Sequence, residues 1–220
     1  MILSRRHFLP FVSLLLVTAN AAPPPPEPAI IRVRLVTSAG DIVVALDARR
    51  APRTVANFMR YVDDGRLDGT EFYRSARRKT DPKLGFVQGG IATDARRILP
   101  SVPIEPTNRT GLRHRDGTIS MAHGVDPNSG NGNFSIMVGD NPSLDATAGN
   151  AGFAAFGQVI AGMDVVRRIL AMPTGGGRGV MFGQMILKPV RILRAERLDG
   201  VARPTGLPKP WLLVLPWQRK

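Results

Sequence analysis

The chain has 220 residues, 43% of them apolar, and a formal charge of +13 at neutral pH. That length supports one sizeable core, and the absence of cysteine excludes disulfides, thiolate nucleophiles and zinc–thiolate sites. Lys and Arg are scattered and accompanied by only two Tyr and two Trp, which argues against a base-stacking nucleic-acid surface.

Residues 1–21 read as a removable export signal. Arg5 and Arg6 precede an apolar run from Phe8 to Ala19 that is too short to span a bilayer, and Ala19-Asn20-Ala21 is an A-x-A cleavage site. Ser4, Phe8 and Leu9 around the arginine pair match the bacterial twin-arginine export motif, with an ordinary secretory signal or an uncleaved anchor as the other readings. Removal takes away two arginines and no acid, so the mature charge falls from +13 to about +11. A solvated basic surface is the simplest reading of that charge, and attraction to acidic clients or anionic membranes the second.

Residues 22–30 form a proline-rich spacer of polyproline type. Ile31–Thr37 and Asp41–Leu46 then predict a hairpin around Ser38, Ala39 and Gly40. Pro52 opens a helix whose Val55, Phe58, Met59 and Val62 share one face, and Gly65 ends it. A basic loop is expected between Arg74 and Gly85, and a long irregular segment from Pro100 to Arg115. Thr118–Ala122 and Phe134–Val138 read as short strands joined by a glycine-rich turn region from Val125 to Gly132. Gly162–Met172 is a second amphipathic helix ended by Pro173, and Met185–Leu198 supplies a last strand. Strands with glycine-rich connections and two helices predict a closed antiparallel sheet. Residues 199–220 are a proline-rich tail with Trp211 and Trp217, able to pack on the fold, touch a membrane or bind a partner.

Four segments in order carry a resemblance. They are Gly69-Thr-Glu-Phe-Tyr-Arg74, Gly85-Phe-Val-Gln-Gly-Gly90, Ile119-Ser-Met-Ala122 followed by Asn133-Phe-Ser-Ile136 and Leu144-Asp145, and Phe156 to Val166. Together they resemble the cyclophilins, peptidyl-prolyl cis–trans isomerases, over residues 31–198. The resemblance implies a mainly β domain: a closed eight-stranded antiparallel barrel capped by two α-helices, with the active groove on its outer surface. It implies Arg74 as the catalytic donor and Gln88 as the residue orienting it. Phe86, Val87, Ala122, His123, Asn133, Ser135, Leu144 and Phe153 are implied to bind the proline-containing substrate. No cofactor or metal, and a monomeric enzyme acting on proline-containing clients outside the cytoplasm, complete the expectation. Membrane contact is expected only through the tail or an uncleaved signal.

This chain departs from the family pattern around the proline seat. Its Gly85–Gly90 run is one residue short, so Phe86 fits either of two adjacent pocket positions. Ser135 stands where an aromatic is usual, Asn133 for a glutamine, Ser143 for a tryptophan and Phe153 for a histidine. An aromatic-to-serine change sacrifices about 1–3 kcal/mol of burial. The alternative function is therefore a catalytically weak module that binds proline segments as a chaperone or scaffold.

Overall fold

The computed structural model describes residues 26–213; the signal segment and Trp217 lie outside them. Nine strands are present: β1 (Ile30–Thr37), β2 (Gly40–Asp47), β3 (Thr70–Arg77), β4 (Gly85–Gly90), β5 (Thr118–Met121), β6 (Asn133–Val138), β7 (Ala154–Ala161), β8 (Thr174–Gly175) and β9 (Met185–Arg197). Eight of them form a closed antiparallel ring in the order β1-β2-β7-β5-β6-β4-β3-β9, shut by the β9–β1 pairing. The two-residue β8 is a spur on β9. The expected barrel and its first hairpin are both present.

Period-two alternation fills the interior. Val33, Leu35, Ile42, Val44, Phe72, Val87, Ile119, Phe134, Ile136 and Phe156 all point inward and are fully buried. Helix α1 (Pro52–Asp63) closes one end, sinking Phe58 between Phe134 and Phe156 at ring separations of 5.5 and 5.4 Å. Such edge-on and tilted contacts suit the quadrupoles of aromatic rings. Asn57 donates to the Asn131 carbonyl just before β6, which ties α1 to that end. Helix α3 (Met163–Leu170) closes the other end with Val165, Val166, Ile169 and Leu170, and its Leu170 carbonyl accepts a bond from the Ser75 hydroxyl.

Helix α1 lacks a local cap at Ala51. Glu105, remote in sequence, supplies one: its carboxylate accepts the Arg53 and Thr54 N–H groups at 3.1 and 2.8 Å and the Thr54 hydroxyl at 2.8 Å. A negative charge against a helix N-terminus satisfies both the free N–H groups and the dipole. The segment expected to be irregular thus carries structure, including the single-turn helix α2 (Thr107–Thr110). The basic loop is shorter than expected because β3 runs on to Arg77, and Arg78 is anchored on Asn141 and the Asp140 carbonyl.

The described part of the tail packs on the barrel. Arg66 is fully buried, with its Nε 2.8 Å from Asp64 and further bonds to the Arg97 and Pro208 carbonyls. The Trp211 ring lies against the Arg66 and Arg97 guanidinium groups, at 4.6 and 5.2 Å. Thr205 donates to Asp64 through its N–H and its hydroxyl. Burial pushes the Asp64 carboxyl up, but the bonds from Thr205 and Arg66 outweigh it, and the group sits below the ordinary carboxylate range. Among the described residues no helix is long and apolar enough to cross a membrane.

Because Arg66 is buried, removing its partner leaves a cation without compensation. Asp64→Ala is expected to cost about 3–5 kcal/mol of stability, read as a lower denaturation midpoint with an unchanged m-value.

Candidate active site

The site is a row of side chains that crosses the outer face of four strands. In β3 the register with β4 steps from Phe72↔Gly89 to Arg74↔Gln88, so Tyr73 is an extra, unpaired residue. This bulge lets Tyr73 and Arg74 both face outward while Phe72 before them and Ser75 after them point inward. The row continues through the pairs Gln88↔Ser135 and Ser135↔Ser120. Arg74, Gln88, Ser135 and Ser120 are therefore successive neighbours on one surface.

Arg74 is half-buried and held by three neutral oxygens. Its Nη1 donates to Gln88 Oε1 at 2.9 Å, its Nε to Gln184 Oε1 at 2.8 Å and its Nη2 to the Val180 carbonyl at 3.4 Å. The Phe86 ring stacks near the guanidinium carbon at 5.1 Å. Among the described residues no carboxylate pairs with Arg74. Burial lowers its pKa from the ordinary arginine value, with a small opposing pull from Tyr73, and the group remains charged at any physiological pH. Burial also pushes the neighbouring Tyr73 hydroxyl up to about 12, so it stays protonated and donates to Asn133 Oδ1 at 3.1 Å.

Two adjoining hollows flank the row. The larger, of about 580 Å³, is lined by Arg74, Phe86, Gln88, Ser120, Ala122, His123, Ser135, Met137, Leu144, Phe153, Val180 and Met181, among others. The smaller, of about 360 Å³, lies beyond Gln88, His123 and Met181 and is lined also by Tyr73, Ala92, Thr93 and Asn133. Among the described residues, Arg74 is the only Lys, Arg, Asp or Glu lining either. Phe86 lines the larger hollow.

The expected site residues Arg74, Phe86, Gln88, Ala122, His123, Asn133, Ser135, Leu144 and Phe153 are brought together here. Val87 is the correction: it is fully buried in the barrel core, because strand alternation turns it away from the face that carries Phe86 and Gln88. Asn133 is present, but its side chain is already committed. It accepts from Ala92 N–H at 2.7 Å and donates to the Ala92 carbonyl at 2.9 Å, holding that residue at a φ of +50°. His123 forms a wall: its ring nitrogens lie 2.7 and 2.8 Å from the Gly124 and Gly152 carbonyls, and it stacks on Phe153 at 4.3 Å. Ser143 is exposed and lines neither hollow.

Several residues of the site were not singled out from the sequence. Val180, Met181 and Gln184 come from a loop long after the motifs, and Met137 forms part of the floor. Behind Ser120 a buried chain runs on: its hydroxyl is 2.8 Å from His114 Nε2, and His114 Nδ1 is 2.7 Å from Asp145. The His114–Asp145 contact binds two loops together over the outside of β5. No group of three or more His, Asp or Glu placed to hold a metal ion occurs among the described residues.

A family model described as cyclophilin type peptidyl-prolyl cis-trans isomerase/CLD matches residues 32–197. Peptidyl-prolyl cis-trans isomerase A of Dickeya dadantii is 33% identical over 195 residues, covering 87% of this chain and 100% of that protein. The peptidyl-prolyl cis-trans isomerase cyp18 of Streptomyces antibioticus is 39% identical over 150 residues, 67% of this chain and 87% of its own length. These relatives are bacterial, and they place this chain among bacterial proteins. A crystal structure of a Cryptosporidium parvum cyclophilin superposes with a TM-score of 0.62, covering 78% of this chain and 99% of that one. At 19% identity that likeness speaks for the fold.

His114 gives the site a measurable pH dependence. Burial lowers its pKa and the bond to Asp145 only partly restores it, so the folded state holds the ring neutral. In the unfolded chain histidine binds a proton near pH ~6.5. The unfolded state therefore gains protons first as pH falls, and stability is expected to drop below about pH 6.5 by up to ~1.4 kcal/mol per pH unit. Urea unfolding at several pH values should show this slope, and His114→Gln should flatten it.

Proposed function

This chain belongs to the cyclophilin-type peptidyl-prolyl cis–trans isomerase family, and we propose that it accelerates Xaa-Pro rotation in exported proteins as they fold, with Arg74 as the donor that stabilises the twisted imide. Peptidyl-prolyl isomerisation is the family's activity and that of this enzyme.

The reaction needs neither nucleophile nor proton transfer. Its barrier is amide resonance, about 18–20 kcal/mol, and the uncatalysed step takes tens to hundreds of seconds. Twisting the bond localises the lone pair on the prolyl nitrogen. A donor aimed at that nitrogen binds the twisted state better than either planar one, and only such a difference raises turnover. Reaching about 10 s⁻¹ requires roughly three decades, or about 4 kcal/mol. One charge-assisted hydrogen bond supplies about 1.5–3 kcal/mol of that, and an apolar seat that fixes the ring supplies the remainder.

The observation that carries the reading is the state of Arg74. It is a half-buried cation with no carboxylate partner among the described residues, at the edge of an apolar hollow. A guanidinium has five N–H groups. Three are taken by Gln88, Gln184 and Val180, which leaves one on each terminal nitrogen. Phe86, Met137, Leu144 and Phe153 give the prolyl ring its apolar surroundings. Ser135 puts a hydroxyl among them, so the grip on the ring is weaker than an aromatic would give. The Ala122 carbonyl and the His123 N–H have no hydrogen-bond partner among the described residues, and they are the open main-chain groups for the substrate backbone.

Arg74→Ala is expected to lower kcat by one to two decades, corresponding to about 1.5–3 kcal/mol, with the fold intact. NMR exchange on a panel of short Xaa-Pro peptides measures it. A folded mutant with unchanged turnover removes Arg74 from the mechanism, and a wild type without acceleration leaves only a binding module.

Export rests on the N-terminal sequence and on the company of bacterial relatives. The paired Arg5 and Arg6 are read as a twin-arginine signal delivering a folded enzyme. Replacing both by lysine is expected to retain the protein in the cytoplasm, whereas a general secretory signal tolerates that change; fractionation of the expressing cells distinguishes the two.

A further inference from the structure

An arginine that acts as a directional donor has to be kept from turning. The guanidinium is planar and sits on a flexible stem, and a single bond to Gln88 leaves it free to pivot about that contact. In this protein a second side chain reaches it from elsewhere: Gln184 accepts the Nε–H at 2.8 Å. Nε is the atom about whose bonds the whole group rotates, so an acceptor placed there fixes the plane of the guanidinium in a way a contact on Nη1 alone does not.

Gln184 is itself held at both ends of its backbone. Its N–H donates to the Met181 carbonyl at 3.0 Å, and its own carbonyl accepts the N–H of Ser75, the residue after Arg74, at 2.9 Å. The loop before it is closed by a bond from Gly183 N–H to the Gly176 carbonyl at 2.6 Å. Gly177 has a φ of +78°, and a Cβ there would lie 2.3 Å from the Met181 carbonyl oxygen, so this turn excludes a side chain. The same loop offers the Val180 carbonyl to Nη2. The bracket is built and fixed before any substrate arrives, as preorganisation requires.

We infer that Gln184 is a positioning residue for isomerisation, setting the plane of the Arg74 guanidinium through its Nε so that the free N–H groups meet the prolyl nitrogen. This rests on the reading of Arg74 as the donor. It goes beyond that reading in assigning the loop over residues 176–184 a part in catalysis.

Gln184→Leu removes the acceptor at similar size, and Gln184→Glu keeps it. In Gln184→Leu, kcat is expected to fall roughly tenfold while KM stays within about twofold and the melting temperature is unchanged. The ¹⁵Nε–¹H signal of Arg74 should broaden or exchange faster in that variant. Gln184→Glu should restore the signal but only part of kcat, because a carboxylate on Nε–H holds the plane while cancelling part of the charge. Gln184→Asn, which withdraws the amide by one methylene, should lose as much as the leucine variant and replaces it if leucine unfolds the loop. Wild-type kcat in a folded Gln184→Leu or Gln184→Asn protein, with Arg74→Ala slow, overturns the role of Gln184. Wild-type kcat in Arg74→Ala overturns the donor reading instead, so the two failures are distinguished.

Discussion

Closure of the barrel by β9 is the constraint on which everything else depends. That strand hydrogen-bonds to β3 on one side and β1 on the other, so the sheet has no open edge across the ring. Closure leaves an interior that Phe58, Phe72, Phe134 and Phe156 fill, with neighbouring centroids 5.4–5.7 Å apart. Those rings occupy the interior, and the two hollows of the candidate site lie on the outer face. The register that packs the inside also aligns Arg74, Gln88, Ser135 and Ser120 outside. A one-residue slip of β4 would send Gln88 into the core and Val87 to the groove.

The electrostatics of Arg74 contrast with those of the chain's structural arginines. Arg197 is clamped by Asp63 and Glu27, Arg32 by Asp199 and Arg66 by Asp64. Carboxylates there neutralise the charge and occupy its donors. Arg74 is oriented instead by amide and carbonyl oxygens, which fix direction without cancelling charge. On the proposed reading, a cation held by dipoles keeps more of its field available to a developing lone pair than one paired with a carboxylate. Burial costs it some of its basicity, but the distance from physiological pH is so large that nothing is lost in charge.

Much of this was readable from the residues. The apolar stripe on α1, the hairpin turns and the Phe-x-Arg context depend on neighbours within a few positions, where periodicity and turn chemistry act. Val87 was misplaced because a motif names a run of residues, while a strand sends alternate ones to opposite faces. Gln184 was not legible, being 110 positions from Arg74 and meeting it only after the ring has closed. The same holds for Glu105 at the start of α1 and for Asp145 beneath His114. In each case a polar group is satisfied by a partner that only the tertiary fold supplies. The bulge at Tyr73 is of this kind too, since nothing local in Thr70–Arg77 marks which residue goes unpaired.

The order of strands in the ring also decides where β1 stands relative to the groove. Counting either way round, β6, which carries Ser135, is four strands from β1. The described N-terminal segment enters at β1, where Glu27 is bonded by Arg197 and paired with Arg203, next to the packed tail. Entry and groove therefore lie on opposite walls of the cylinder. A tether or support joined at Glu27 would leave the barrel from the wall opposite the candidate groove.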